Sequence, residues 1–263
     1  MKIGLGQMDI CWEDKETNQI KCLEMMKEAK GRNVDFLVFP EMTLTGFTMN
    51  TETMKEDFAD SFSLSFFQRA CREYSMAAAF GMILEDGLRA KNHCVIIDDS
   101  GRVLANYAKI HPFSGGGESE CYTGGKNLCS CIVSGICVVP TICYDLRFPV
   151  LYQIASKDCD LILVIANWPK SRREHWEALL KARAIENQCY IAGVNRTGND
   201  ITLEYCGDSM VVDPLGNIIT RNMYKKEGLA IADISHDQVL SAKTLFDVRK
   251  DRREELYAKW YLE

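Results

Sequence analysis

Strand-length apolar runs alternate with amphipathic helical stretches along the whole chain, and this alternation limits the fold more than any other feature. Runs suited to strands fall at 2–9, 35–39, 76–84, 93–98, 103–108, 135–143, 161–166, 189–195, 204–213 and 229–233. Residues 16–30 carry Ile20, Leu23 and Met26 at helical spacing and stop before Gly31, a suitable residue to end a helix. Ser171-Arg172-Arg173-Glu174 reads as a capping box opening a helix with Trp176, Leu179, Leu180 and Ala184 on one face. Ser235-His236-Asp237-Gln238 opens another in the same way. Turn residues at 98–101 and 213–217 add two antiparallel connections, so the sheet is expected to be mixed. No repeat, low-complexity tract or linker divides the chain, which predicts one α/β domain over residues 1–263.

Thirty-seven acidic against 31 basic side chains leave a formal charge of -6, with the bases scattered. Such a surface does not attract polyphosphate, so neither nucleic acid nor a membrane surface is an expected partner. The longest apolar runs fall far short of the roughly 20 residues a bilayer requires. Asp9 interrupts the first run too early for the apolar region of a signal peptide, and the expected location is the cytoplasm.

Twelve cysteines invite a disulfide reading that their positions oppose. Cys94, Cys137, Cys159 and Cys189 sit in or beside apolar runs, where thiols act as small core hydrophobes. Cys129 and Cys131 form only a C-x-C, and no pair has zinc-finger spacing, so no metal is expected.

Ligands of α/β sheets gather where strands end. Three runs here end in a reactive side chain: 34–40 delivers Glu41, 103–108 delivers Lys109, and 136–142 delivers Cys143. The turn after Cys143, leading to a helix from about Phe148, should surround the thiol with backbone N–H groups and so favour its thiolate. Glu41 at a partly buried strand end is a general-base candidate, because desolvation opposes the charged carboxylate. Each residue also has an ordinary reading: core thiol, helix cap, edge-strand lysine. His111, two residues past Lys109, allows a Cys–His alternative.

Together the segments FPEMTLTGF, YAKIHPF and ICYDLRFP, whose key residues lie 68 and then 34 positions apart, resemble the Glu, Lys and Cys motifs of the nitrilase superfamily of carbon–nitrogen hydrolases. IGLGQMD, ANWPKSRREHWEALLKARAIENQCYIAGVNRTG and YCGDSMVVDPLGNII extend the resemblance over nearly the whole chain. It implies a four-layer α-β-β-α sandwich and a cofactor-free amidase site built on Glu41, Lys109 and Cys143. It also implies a second glutamate in the loop after the lysine, where Glu118 is favoured over Glu120, and oxyanion stabilisation by Lys109 with the Tyr144 N–H.

CYDLRFP, NWP, HW, LLKARAIENQ and VNRTG are most similar to the omega-amidase branch, which acts on terminal amides of small 2-oxo dicarboxylic acid monoamides. Such a substrate needs a cation for its far carboxylate. Arg172, just after Trp168-Pro169, is the first candidate and Arg147 the second, with Trp168 beside them, since arginine pairs with carboxylates bidentately. His175 and Trp176 read as structural. The alternatives are hydrolysis of N-carbamoyl amines or other small amides, or a non-catalytic binding module. The family also forms dimers or larger assemblies, and the aromatic-rich segment 246–263 could meet a partner subunit.

Overall fold

A computed structural model describes all 263 residues. Its strands are β1 (Lys2–Gln7), β2 (Phe36–Val38), β3 (Ala77–Asp86), β4 (Arg89–Ile97), β5 (Val103–Ala108), β6 (Cys131–Val133), β7 (Ile136–Ile142), β8 (Leu161–Ala166), β9 (Tyr190–Asn195), β10 (Thr197–Asn199), β11 (Glu204–Cys206), β12 (Met210–Val212) and β13 (Gly228–Asp233). The helices are α1 (Lys15–Gly31), α2 (Thr51–Met54), α3 (Phe62–Tyr74), α4 (Glu118–Cys121), α5 (Pro149–Ala155), α6 (Arg173–Asn187), α7 (His236–Leu245) and α8 (Glu254–Leu262). Six strands form one sheet in the order β13-β1-β2-β3-β4-β5, and five form the other in the order β12-β9-β8-β7-β6. β1, β2 and β3 run parallel in the first sheet, as β7, β8 and β9 do in the second.

The two-residue period of a strand explains the layers. Phe36 and Val38 face the second sheet, while Leu37 points to the helical side. Leu161, Leu163 and Ile165 answer from β8, whose Ile162 and Val164 face α5 and α6. A 26-residue core therefore lies between the sheets, and separate apolar layers join each sheet to its own helices. This is the expected α-β-β-α sandwich. No helix is long and apolar enough to cross a membrane.

Several local expectations need correction. Of the residues expected to share a face of α1, Met26 is buried, Leu23 is half-buried and Ile20 is exposed; Cys22, Met25 and Ala29 complete the buried face. Gly31 is the last helical residue, with the left-handed conformation falling on Asn33. Ser171 does not cap α6: it lies in a 3-10 turn over Lys170–Arg172, and α6 starts at Arg173 without a side-chain cap. Ser235 does cap α7, accepting from the Gln238 N–H at 3.3 Å. The run 204–213 divides into β11 and β12 because Gly207 and Asp208 both take positive φ. The 98–101 turn joins β4 to β5, whereas 213–217 closes on a single bridge between Val212 and Ile218. α3 escaped the sequence reading, although Ser61 caps it and Leu64, Phe66 and Phe67 form its buried face.

Candidate active site

The ends of β2, β5, β7 and β8 converge between the sheets and bring Glu41, Lys109, Cys143 and Asn167 together. Glu41 follows Pro40 in a turn whose next residue, Met42, has a φ of 47°. That turn presses on β3 so closely that a Cβ at Gly81 would lie 2.2 Å from the Met42 nitrogen. Thr43 completes the clamp, accepting from the Gly81 N–H at 2.9 Å. Lys109 continues from β5, and Cys143 takes a φ of 45° at the start of the 3-10 turn Cys143–Arg147.

Lys109 is 1% exposed and lies between two fully buried carboxylates. Its Nζ donates to Glu41 Oε1 at 3.0 Å and to Glu118 Oε2 at 2.7 Å. Burial opposes the ammonium, but Glu41 and Glu118 outweigh it and hold the lysine well above its usual range. Glu118 also accepts from the Phe113 N–H at 2.6 Å, whereas Glu120 is exposed. The second glutamate beside the lysine is therefore Glu118.

Cys143 reverses its sequence-based expectation. Burial pushes the thiol well above its ordinary range, Glu41 adds to the rise, and Lys109 only partly opposes it. Backbone donors were visible in the turn; the two carboxylates arrive from distant segments. The thiol is therefore protonated at neutral pH and needs a base to become a nucleophile.

Asp145, unnoticed in the sequence, pins this turn. It is fully buried, and Oδ2 accepts from the Ile142 N–H at 3.1 Å and the Tyr107 hydroxyl at 2.8 Å. Oδ1 accepts from the His111 N–H at 3.1 Å and lies 2.8 Å from the His111 ring Nδ1. One carboxylate thus ties the cysteine turn to the segment carrying Lys109. His111 is engaged with Asp145 and stacks on Phe148 at 3.7 Å, so the Cys–His alternative has no geometric support.

Beside Cys143 and Lys109 opens a narrow cavity of about 40 Å³. Phe47, Phe113, Tyr144 and Trp168 give it apolar walls, and Arg147 and Arg172 supply charge. Arg147 stacks over Trp168 at 4.7 Å and touches the His175 ring at 3.3 Å, while Arg172 lies over Phe113 at 5.4 Å. Neither guanidinium has a carboxylate partner. Burial and the neighbouring Arg172 together disfavour the charge on Arg147. Trp176 is buried away from the cavity, donating to the Asp208 carbonyl at 2.9 Å. Leu203 and Tyr205, from the β10–β11 hairpin, form a wall that the sequence reading missed.

Two asparagines were also missed. The Asn167 N–H donates to Glu41 Oε2 at 2.8 Å, and Asn92 Nδ2 donates to Glu41 Oε1 at 2.7 Å. Asn167 stands in the NWP segment and was within reach of motif reading. Asn92 is one polar residue in a long strand, and only the assembled sheets reveal its partners.

A carbon-nitrogen hydrolase family model matches residues 2–244. The omega-amidase YafV of Yersinia enterocolitica is 36% identical over 225 residues, covering 83% of each chain. The 2-oxoglutaramate amidase of Bacillus subtilis is 29% identical over 97% of this chain and 98% of its own. Among solved structures, a CN-hydrolase superfamily protein from Xanthomonas campestris, with an arsenic adduct in its active site, superposes with a TM-score of 0.89 at 30% identity. That match covers 96% of this chain and 97% of the other. The chain belongs to the carbon-nitrogen hydrolase (nitrilase) superfamily, on the branch its omega-amidase relatives occupy, and is an amidohydrolase of carbon–nitrogen bonds other than peptide bonds.

Proposed function

We propose that this hydrolase cleaves the terminal amide of small omega-amide acids of the 2-oxoglutaramate or 2-oxosuccinamate type, releasing ammonia and a dicarboxylate. The observation carrying this reading is one cavity lined by the Cys143 thiol, by the Lys109 ammonium, itself paired with the buried Glu41 carboxylate, and by two arginines without acidic partners. The substrate carboxylate supplies the missing anion, with Arg172 as its first partner and Arg147 as its second. Trp168 forms the platform under Arg147. An arginine fork fits a carboxylate with two parallel hydrogen bonds.

Cys143 Sγ attacks the amide carbonyl as Glu41 takes the thiol proton, so no preformed thiolate is required. Lys109 and the Tyr144 N–H stabilise the resulting oxyanion; losing one such donor typically costs about 2.7–4 kcal/mol. Glu41 passes its proton to the amide nitrogen, the C–N bond breaks, ammonia leaves, and a thioester remains on Cys143. Glu41 then deprotonates a water that attacks the thioester, and the proton returns to the thiol. Glu118 holds Lys109 in place through both of its carboxylate oxygens.

The test is ammonia release from a panel of 2-oxoglutaramate, 2-oxosuccinamate, glutamine and an N-carbamoyl amine, with wild type, Cys143→Ala and Arg172→Gln. Turnover of the 2-oxo acids should vanish without the thiol. Loss of the arginine should raise KM about 10-fold or more with a smaller change in kcat, as expected for a lost charged hydrogen bond. Preference for the N-carbamoyl amine, or an Arg172→Gln enzyme with unchanged KM, would overturn the substrate assignment.

A further inference from the structure

Asn92 lies in β4, is 1% exposed and does not line the cavity. Its Nδ2 donates to Glu41 Oε1 at 2.7 Å and to Glu118 Oε1 at 3.0 Å. Its backbone carbonyl accepts from the Lys109 N–H at 2.8 Å. One residue thus touches all three members of the buried charge cluster. Its own Oδ1 is buried without a hydrogen-bond partner. A buried orphan acceptor is unfavourable, which makes general packing a poor explanation for an amide here. Turning the amide over would set Oδ1 against two carboxylates, so the donors face them.

We propose that Asn92 is a positioning residue that locks Glu41 and Glu118 into one unit around Lys109 and leaves Glu41 free to take the thiol proton. The inference rests on the functional reading above, in which Glu41 is the base. Two carboxylates share one ammonium, so one negative charge lacks a cation. A second lysine or arginine would neutralise that charge and weaken the base. A hydroxyl has one proton to donate and could serve only one carboxylate, whereas a primary amide donates two without adding charge. With Oε1 anchored by Lys109 and Asn92, Glu41 Oε2 accepts from the N–H of Asn167, a residue that lines the same cavity as Cys143. The anchored oxygen fixes the aim of the working one.

The ionisable groups around this amide are Glu41, Glu118, Lys109, Cys143 and Tyr122, whose hydroxyl is committed to the Thr48 carbonyl. Asn92→Asp is nearly isosteric and places a third carboxylate among two. Like charge favours the protonated form of Glu41, so the acid limb of kcat/KM should move up by about one unit. kcat on 2-oxoglutaramate should fall about 10²-fold, with KM within about 3-fold of wild type. Asn92→Ser, smaller and uncharged, keeps the test open if the aspartate variant does not fold. Replacing the two amide donors by at most one hydroxyl donor also favours protonated Glu41, and the same direction is expected. A folded variant with the wild-type limb and kcat, changed only in melting temperature, would overturn the proposal. Wild type and Cys143→Ala are assayed alongside: absence of thiol-dependent turnover in wild type would overturn the functional reading instead.

Discussion

At the scale of single residues, Cys143 and Glu41 form a mutually dependent pair. Burial and the glutamate charge both keep the proton on sulfur, so the pair is chemically quiet until a carbonyl arrives. Glu41→Gln removes one cause of that rise and should let the Cys143 thiol titrate at lower pH than in wild type. It should also slow turnover by about 10²–10⁴-fold, because the base is gone. Thiolate absorbance against pH, referenced to Cys143→Ala, reads the first effect, and ammonia release reads the second. A thiol unchanged in acidity would contradict this electrostatic account. Glu41, Lys109 and Cys143 each end an apolar run and were singled out by the resemblance of their segments to the family's motifs, and the fold brings the three together. The acidity of the sulfur was not legible in the sequence, because its strongest charged neighbours come from other strands.

At the scale of elements, the site depends on how closely β3 approaches the Glu41 turn. Gly81 is needed there for space: its added Cβ would strike the Met42 backbone and lie 2.8 Å from the Glu41 Cα. Gly81→Ala should therefore displace Glu41, cost about 1–3 kcal/mol of stability through overpacking and lower kcat/KM by about 10²-fold. Thermal melts and steady-state rates measure the two, and a fully active alanine variant would show that the turn is not clamped. Strand periodicity exposed strands of both sheets, since β5 and β8 have the bounds their apolar runs predict. It failed at 204–213, where two positive-φ residues break an apolar run that looks continuous. Helical spacing failed at Ile20 of α1, which faces solvent because Cys22, Met25 and Met26 meet the sheet.

At the scale of the whole molecule, two sheets packed face to face hold the site while few charges enter the interior. His93 on β4 reports how acid acts on that arrangement. Burial lowers its pKa from 6.5 to about 4, with its ring nitrogen 2.5 Å from Asn106 Oδ1. The unfolded chain therefore binds this proton first, and stability should fall as pH drops from about 6.5 to about 4. His93→Gln should flatten that part of the curve in denaturant titrations at several pH values; an unchanged slope would refute the assignment. The sandwich was legible from motifs spread over nearly the whole chain. The wall built by Leu203 and Tyr205 was not, because short irregular hairpins carry little periodic signal. The central claim is that Cys143 attacks the amide and carries the acyl group. Rapid-quench intact-mass analysis of the wild-type enzyme with 2-oxoglutaramate, followed by peptide mapping, tests it most directly. The account predicts added mass equal to the substrate less ammonia, located on Cys143 and absent in Cys143→Ala. Substrate turnover at a wild-type rate in Cys143→Ala, or the same adduct on another residue, would contradict it.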